Sequence, residues 1–170
     1  EWETVLRFLH GVPFDQADPI FQRDFSFYVF TLPALGFARS WLIGVLVVIM
    51  ALVAGFHYIA GALRGRQPGL TGTIRAHLAG LGAGLFVLVA AGHWLGRYEL
   101  LFSPTGSVYG VGYTDEHVTL LARTVLTFIA LLSAGLLIAA GIRGGKGNRL
   151  IVLSLLLWGG SNLLAGTVAP

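Results

Sequence analysis

Four runs without a charged residue, at 40–63, 76–96, 124–142 and 150–170, divide this chain. Each is about 20 residues long, roughly 30 Å as a helix, which matches the hydrocarbon core of a bilayer. Helices apolar all round have no polar face to turn to water, so a soluble bundle of four of them is excluded. Only 11% of the 170 residues are charged, where a soluble domain carries about 25%. The sequence predicts an all-α integral membrane fold. Four transmembrane helices are preceded by an amphipathic, aromatic-rich interfacial segment at 1–38, and 39–170 is the four-helix domain.

Charge gives these spans a direction. The loops after the first and third runs hold Arg64, Arg66, Arg75, Arg143, Lys146 and Arg149, and no acid. All eight acidic residues lie elsewhere: Glu1, Glu3, Asp15, Asp18 and Asp24 in the N-terminal segment, and Glu99, Asp115 and Glu116 in the middle loop. The positive-inside rule places the loops at 64–75 and 143–149 in the cytoplasm. The N-terminal segment, the loop at 97–117 and the C-terminus then lie outside. The net charge of +3 does not indicate a nucleic-acid partner, because the loop bases read as topology signals and no motif with interleaved aromatics accompanies them. Without Cys there is no disulfide or thiolate site. The chain starts at Glu1 and stops at Pro170 in an apolar run, so it is expected to be an internal piece of a longer protein.

The spans are expected at 41–63, 75–96, 114–142 and 150–167. Arg39 and Trp41 anchor the outer end of the first, with Trp94, Arg97 and Tyr98 at the outer boundary of the second. Thr114 caps the third, and Asp115 and Glu116 sit in its first turn, where the helix dipole favours negative charge. Within the second span Gly80, Gly84, Gly92 and Gly96 form two Gly-x-x-x-Gly pairs, the spacing that lets helix backbones approach closely in lipid. Upstream, Trp2, Val5, Leu6 and Leu9 share one helical face, which Gly11 and Pro13 end. Asp18-Pro19 reads as a helix start. Phe21, Phe25, Tyr28 and Leu32 then recur at helical spacing in a segment bounded by Pro19 and Pro33, expected as a helix in the outer interface. A β-strand through Phe25, Phe27 and Val29 competes with it.

Ionisable residues within spans are functional candidates by default. His57 lies near the inner end of the first span and His93 near the outer end of the second. Their depths differ by more than ~15 Å at 1.5 Å per residue, so they cannot share one haem. Arg123 is expected to reach the interface with its stem in lipid, or to pair with Glu99 across the outer face. His93, Glu99, Asp115, Glu116 and His117 gather at the outer boundary, where carboxylates and imidazoles could bind a divalent metal or pass protons. Their spacing matches no ligand motif. His-Glu-x-x-His, Gly-x-Ser-x-Gly and Walker A sequences are also absent, so no cofactor, metal or catalytic residue is assigned.

Two motifs carry a resemblance. The stretch at 18–33, Asp-Pro-Ile-Phe-Gln-Arg-Asp-Phe-Ser-Phe-Tyr-Val-Phe-Thr-Leu-Pro, resembles a signature of uncharacterised protein family 0182, a group of bacterial membrane proteins. So does 97–104, Arg-Tyr-Glu-Leu-Leu-Phe-Ser-Pro, followed by Gly112-Tyr113-Thr114-Asp115. The resemblance implies several N-terminal spans followed by a large extracytoplasmic region, in a bacterial plasma membrane. It supplies no activity and no catalytic residue. The leading expectation is therefore an anchoring or structural domain whose partners are the bilayer and the rest of its own chain. A transporter or channel component is the alternative. It is disfavoured because no Pro lies inside an expected span and no acid lies at depth.

Overall fold

The computed structural model describes residues 2–63, 72–102, 118–143 and 147–168. Five α-helices account for most of them: α1 (Trp2–Leu9), α2 (Leu32–Leu63), α3 (Gly72–Glu99), α4 (Leu120–Arg143) and α5 (Asn148–Val168). A π-helical turn, Phe27–Thr31, leads into α2, and a 3-10 turn, Leu100–Phe102, follows α3. Four of these helices are long and apolar enough to cross a membrane, and an aromatic-rich N-terminal segment precedes them. Their apolar side chains are largely uncovered. Phe56, Leu63, Ile142 and Leu163 are each at least 70% exposed, far more continuous apolar surface than a water-soluble monomer presents.

The first membrane-length helix begins well before Trp41. It runs unbroken for 37 residues, Phe27–Leu63, with Pro33 inside it. Proline has no N–H to donate, and in an α-helix its ring presses on the carbonyl four residues back. Here the wider π turn comes just before Pro33, closed by Leu32 N–H donating to the Phe27 carbonyl. The expected break at Pro33 is therefore a continuous helix with an altered first turn. The competing strand through Phe25, Phe27 and Val29 does not form.

Asp18-Pro19 does start a helical turn, but only one. The Asp18 carbonyl accepts from Gln22 N–H at 3.1 Å, and Gln22 itself adopts φ 54°, a left-handed conformation that stops helix propagation. The chain then returns antiparallel, bridging Ala17 to Asp24. α1 forms as expected, and its Trp2, Val5, Leu6 and Leu9 face is exposed.

α3 and α4 form the centre of the bundle, with α5 packed on α4 and α2 on α3. The α3–α4 seam is built from alanine rather than from the Gly-x-x-x-Gly pairs. Ala79, Ala83 and Ala90 of α3 and Ala130, Ala134 and Ala140 of α4 are all buried. At Gly141 a Cβ would come within 3.3 Å of the Ala76 Cα, so backbone meets backbone there. Ala83, Phe86, Ala134 and Leu137 make the apolar core, flanked by Ile151 and Trp158 of α5. Phe86 and Trp158 meet edge to face at 5.6 Å between centroids. The fully buried Ser133 hydroxyl of α4 donates to the Ser154 carbonyl of α5 at 3.2 Å.

Candidate functional site

The first acidic, aromatic motif and residues 97–102 of the second come together as one block at the end of the bundle opposite Leu63 and Arg143, here called the acidic end; 103–104 and 112–115 lie outside the described residues. Asp18 is fully buried there. Its Oδ1 accepts from the amides of Ile20 at 2.8 Å and Phe21 at 2.7 Å. Its Oδ2 accepts from Arg23 N–H at 3.0 Å and from the Tyr28 hydroxyl at 2.6 Å. Burial raises the Asp18 pKa, but the Tyr28 hydroxyl and the three amides outweigh it and the net shift is downward. Asp24 organises the next loop, accepting from the amides of Phe14, Gln16 and Ser26. The Ser26 hydroxyl, with these amides, holds its pKa at about 2.

The second motif packs on this loop through Tyr98. Its ring lies 4.9 Å from Phe21 and 5.1 Å from Phe27, and Phe102 lies 6.0 Å from Tyr28. These tilted and edge-on pairs join the N-terminal segment to the end of α3. Arg97 lies over the Trp94 ring at 4.2 Å, within cation–π range.

Beneath this block, a cavity of about 380 Å³ opens between α2, α3, α4 and α5. Its polar lining is Arg39, His93, Glu99, Arg123, Trp158 and Asn162. The arginines are held by glycines. A Cβ at Gly92 would overlap the Arg39 guanidinium, and a Cβ at Gly96 would overlap that of Arg123. The lack of a side chain at Gly92 also bares the carbonyl one helical turn back, and Arg39 Nε donates to that Leu88 oxygen at 2.8 Å. Leu88 lies 11 residues before the end of α3, roughly 16 Å along the helix. Among the described residues neither guanidinium is ion-paired; the ion pair there is Arg7–Glu3 on the α1 surface. His93 Nε2 and Trp158 Nε1 are buried without a hydrogen-bond partner among the described residues. Buried polar atoms are rarely left so.

The expected site residues are thus partly assembled. His93 and Glu99 share the cavity, while Asp115, Glu116 and His117 lie outside the described residues. Among the described residues, no three His, Asp or Glu side chains converge as metal ligands. Gly92 and Gly96 seat arginines instead of a neighbouring backbone. A Cβ at Gly80 would meet nothing within 4 Å, and one at Gly84 would reach only ordinary contact with Leu46, at 3.4 Å. Arg39 and Arg123, expected to extend to the interface, turn inward onto α3. Glu99 and Arg123 line the same cavity, but without an ion pair. Trp158 and Asn162 also line the cavity, although no motif marks them in the sequence. Asn162 is an amide in an apolar run, one turn beyond Trp158, and its Nδ2 donates to the Trp158 carbonyl at 2.8 Å.

Four membrane-length helices, an aromatic-acidic block and a polar cavity among the helices define a helical membrane-type domain. Comparison with known proteins places it further. The family model described as Uncharacterised protein family (UPF0182) matches residues 1–170, and the chain belongs to that family. It is 42% identical over 138 residues to a UPF0182 protein of Trichodesmium erythraeum (strain IMS101), covering 78% of this chain and 15% of the relative. It is 41% identical over 171 residues to one from Kineococcus radiotolerans, covering 94% of this chain and 17% of the relative. One from Arthrobacter sp. (strain FB24) is 38% identical over 175 residues, covering all of this chain and 17% of the relative. The chain therefore spans about one sixth of the length of these relatives. No solved structure matches it.

Proposed function

We propose that this chain is a four-span domain that anchors a much larger protein in the bacterial plasma membrane. The acidic end faces outward, the basic loops face the cytoplasm, and a large extracytoplasmic region follows. The observation that carries the reading is the 15–17% share of its relatives' length that the chain covers. The uncovered apolar faces of α2, α4 and α5 support the membrane setting. The distribution of loop charge supports the orientation, and an even number of spans returns the chain to the acidic side.

Reporter fusions test the orientation. A fusion at Gly69 is expected to signal from the cytoplasm and one at Gly106 from outside; the reverse pattern would overturn the orientation. Protease treatment of intact spheroplasts tests the anchor. The full-length protein is expected to release a large folded fragment and to leave these four spans in the membrane. Full protection of the whole chain would sink the anchor reading.

A further inference from the structure

We propose that the polar cavity binds the phosphate of a phospholipid headgroup, and that one acyl chain of the same lipid lies in the apolar groove beneath it. The inference rests on the four helices being membrane spans, but not on which end faces outward.

The cavity is rich in donors. Arg39 from α2 and Arg123 from α4 converge on one face of α3, each seated over a glycine. A guanidinium stays charged and presents a planar fork suited to the paired oxygens of a phosphate. Trp158 Nε1 is a donor only, and it is buried without an acceptor among the described residues. His93 Nε2, equally without a partner, supplies a further polar contact.

Charge selects the anion. Among the described residues, the two guanidiniums contribute two positive charges and Glu99, at the exposed mouth, one negative charge. Cations within a membrane span are costly unless they are paired. A phosphodiester carries one negative charge, which balances the set. Inorganic phosphate is partly a monoanion near neutral pH, so charge alone does not separate it from a phosphodiester.

The surroundings select a lipid over a free anion. An apolar groove of about 420 Å³ continues from the cavity along α3, sharing Val89 and Trp158 with it. Gly82, Leu85 and Phe86 floor the groove and Leu155 borders it. On the other side of α3, a second apolar groove of about 550 Å³ shares Arg39 and Leu95 with the cavity. A free phosphate would use the polar cavity alone. A phospholipid uses the polar cavity and the apolar groove that continues from it.

The test uses full-length protein in detergent, with native mass spectrometry and thermal unfolding as readouts. The probes are phosphatidylglycerol, diacylglycerol with the same chains, and inorganic phosphate. Phosphatidylglycerol is expected to bind and stabilise at concentrations at least tenfold lower than diacylglycerol, and inorganic phosphate to have no effect. R39Q and R123Q are each expected to reduce that preference at least fivefold. Equal binding of the two lipids would overturn the phosphate contact. Stabilisation by inorganic phosphate equal to that by the lipid would overturn the lipid assignment. Arginine variants that keep the full preference would overturn the placement. If the variants do not fold, the two-lipid comparison on the unaltered protein decides. Recovery of the protein in the soluble fraction would overturn the membrane reading instead.

Discussion

Asp18 is a carboxylate taken out of water and given four donors in exchange. Hydrogen bonds to a charged group contribute about 1.5–3 kcal/mol each, and a buried donor left unmatched costs a comparable amount. Asp18→Asn keeps the shape but turns one acceptor into a donor facing amide N–H groups or the Tyr28 hydroxyl. Amide exchange at Ile20, Phe21 and Arg23 is expected to speed up at least tenfold. Unchanged protection would mean that the aromatic packing alone holds the loop. Acid has a related effect. Asp24 titrates at about 2, below its ordinary 3.8, and Asp18 is shifted in the same direction. A depressed carboxyl pKa stabilises the fold fully above the unfolded value, and that stability is lost as pH falls through the folded value. The acidic block is therefore expected to loosen as pH falls from about 4 towards about 2, read by Trp and Tyr fluorescence. Neither loop was legible in the sequence, because Asp-Pro reads equally as the start of a long helix or of a single turn. The left-handed Gln22 that decides between them carries no residue-type signal.

Among the elements, α3 carries the sharpest contrast between sequence and structure. Its four spaced glycines give one signature that serves two purposes. Small residues every four positions permit backbone approach, but they also bare carbonyls and make room for a long side chain from another helix. Which of these occurs depends on residues 27 to 53 positions away, Arg123 over Gly96 and Arg39 over Gly92, and no local spacing encodes that. The four spans themselves were legible, because the absence of charge over about 20 residues is a local property. The start of the first was not. Pro33 signals a break unless the turn before it widens. A clean separation of the glycines follows: Gly80→Ala is expected to leave thermal stability unchanged or slightly raised, since it relieves the flexibility of glycine in a helix and meets no neighbour. Gly96→Ala is expected to lower it by displacing the Arg123 guanidinium. Equal behaviour of the two variants in detergent unfolding would count against the arginine seats.

At the scale of the whole molecule, the acidic end holds most of what is specific among the described residues: the Asp18 block, its partner segment 97–102 and the polar cavity. In sequence, the other end carries only the short basic loops at 64–75 and 143–149. That asymmetry was legible from loop charge alone, whereas the meeting of residues 21–28 with Tyr98 and Phe102 was not, since aromatic pairing across 70 residues leaves no periodic trace. The unbroken helix from Phe27 to Leu63 adds a mechanical consequence. At 37 residues it is roughly 55 Å long, well beyond the ~30 Å hydrocarbon core. One end is clamped by aromatic rings to the tip of α3, and Arg39 pins the same helix lower down. It behaves as a rigid lever with its fulcrum inside the bundle. A tilt of ~10° about the Arg39 pin, roughly 18 Å below Phe27, would carry the Phe27 end sideways by about 3 Å. A tilt of this helix would therefore move the N-terminal block and the Arg39 wall of the cavity together.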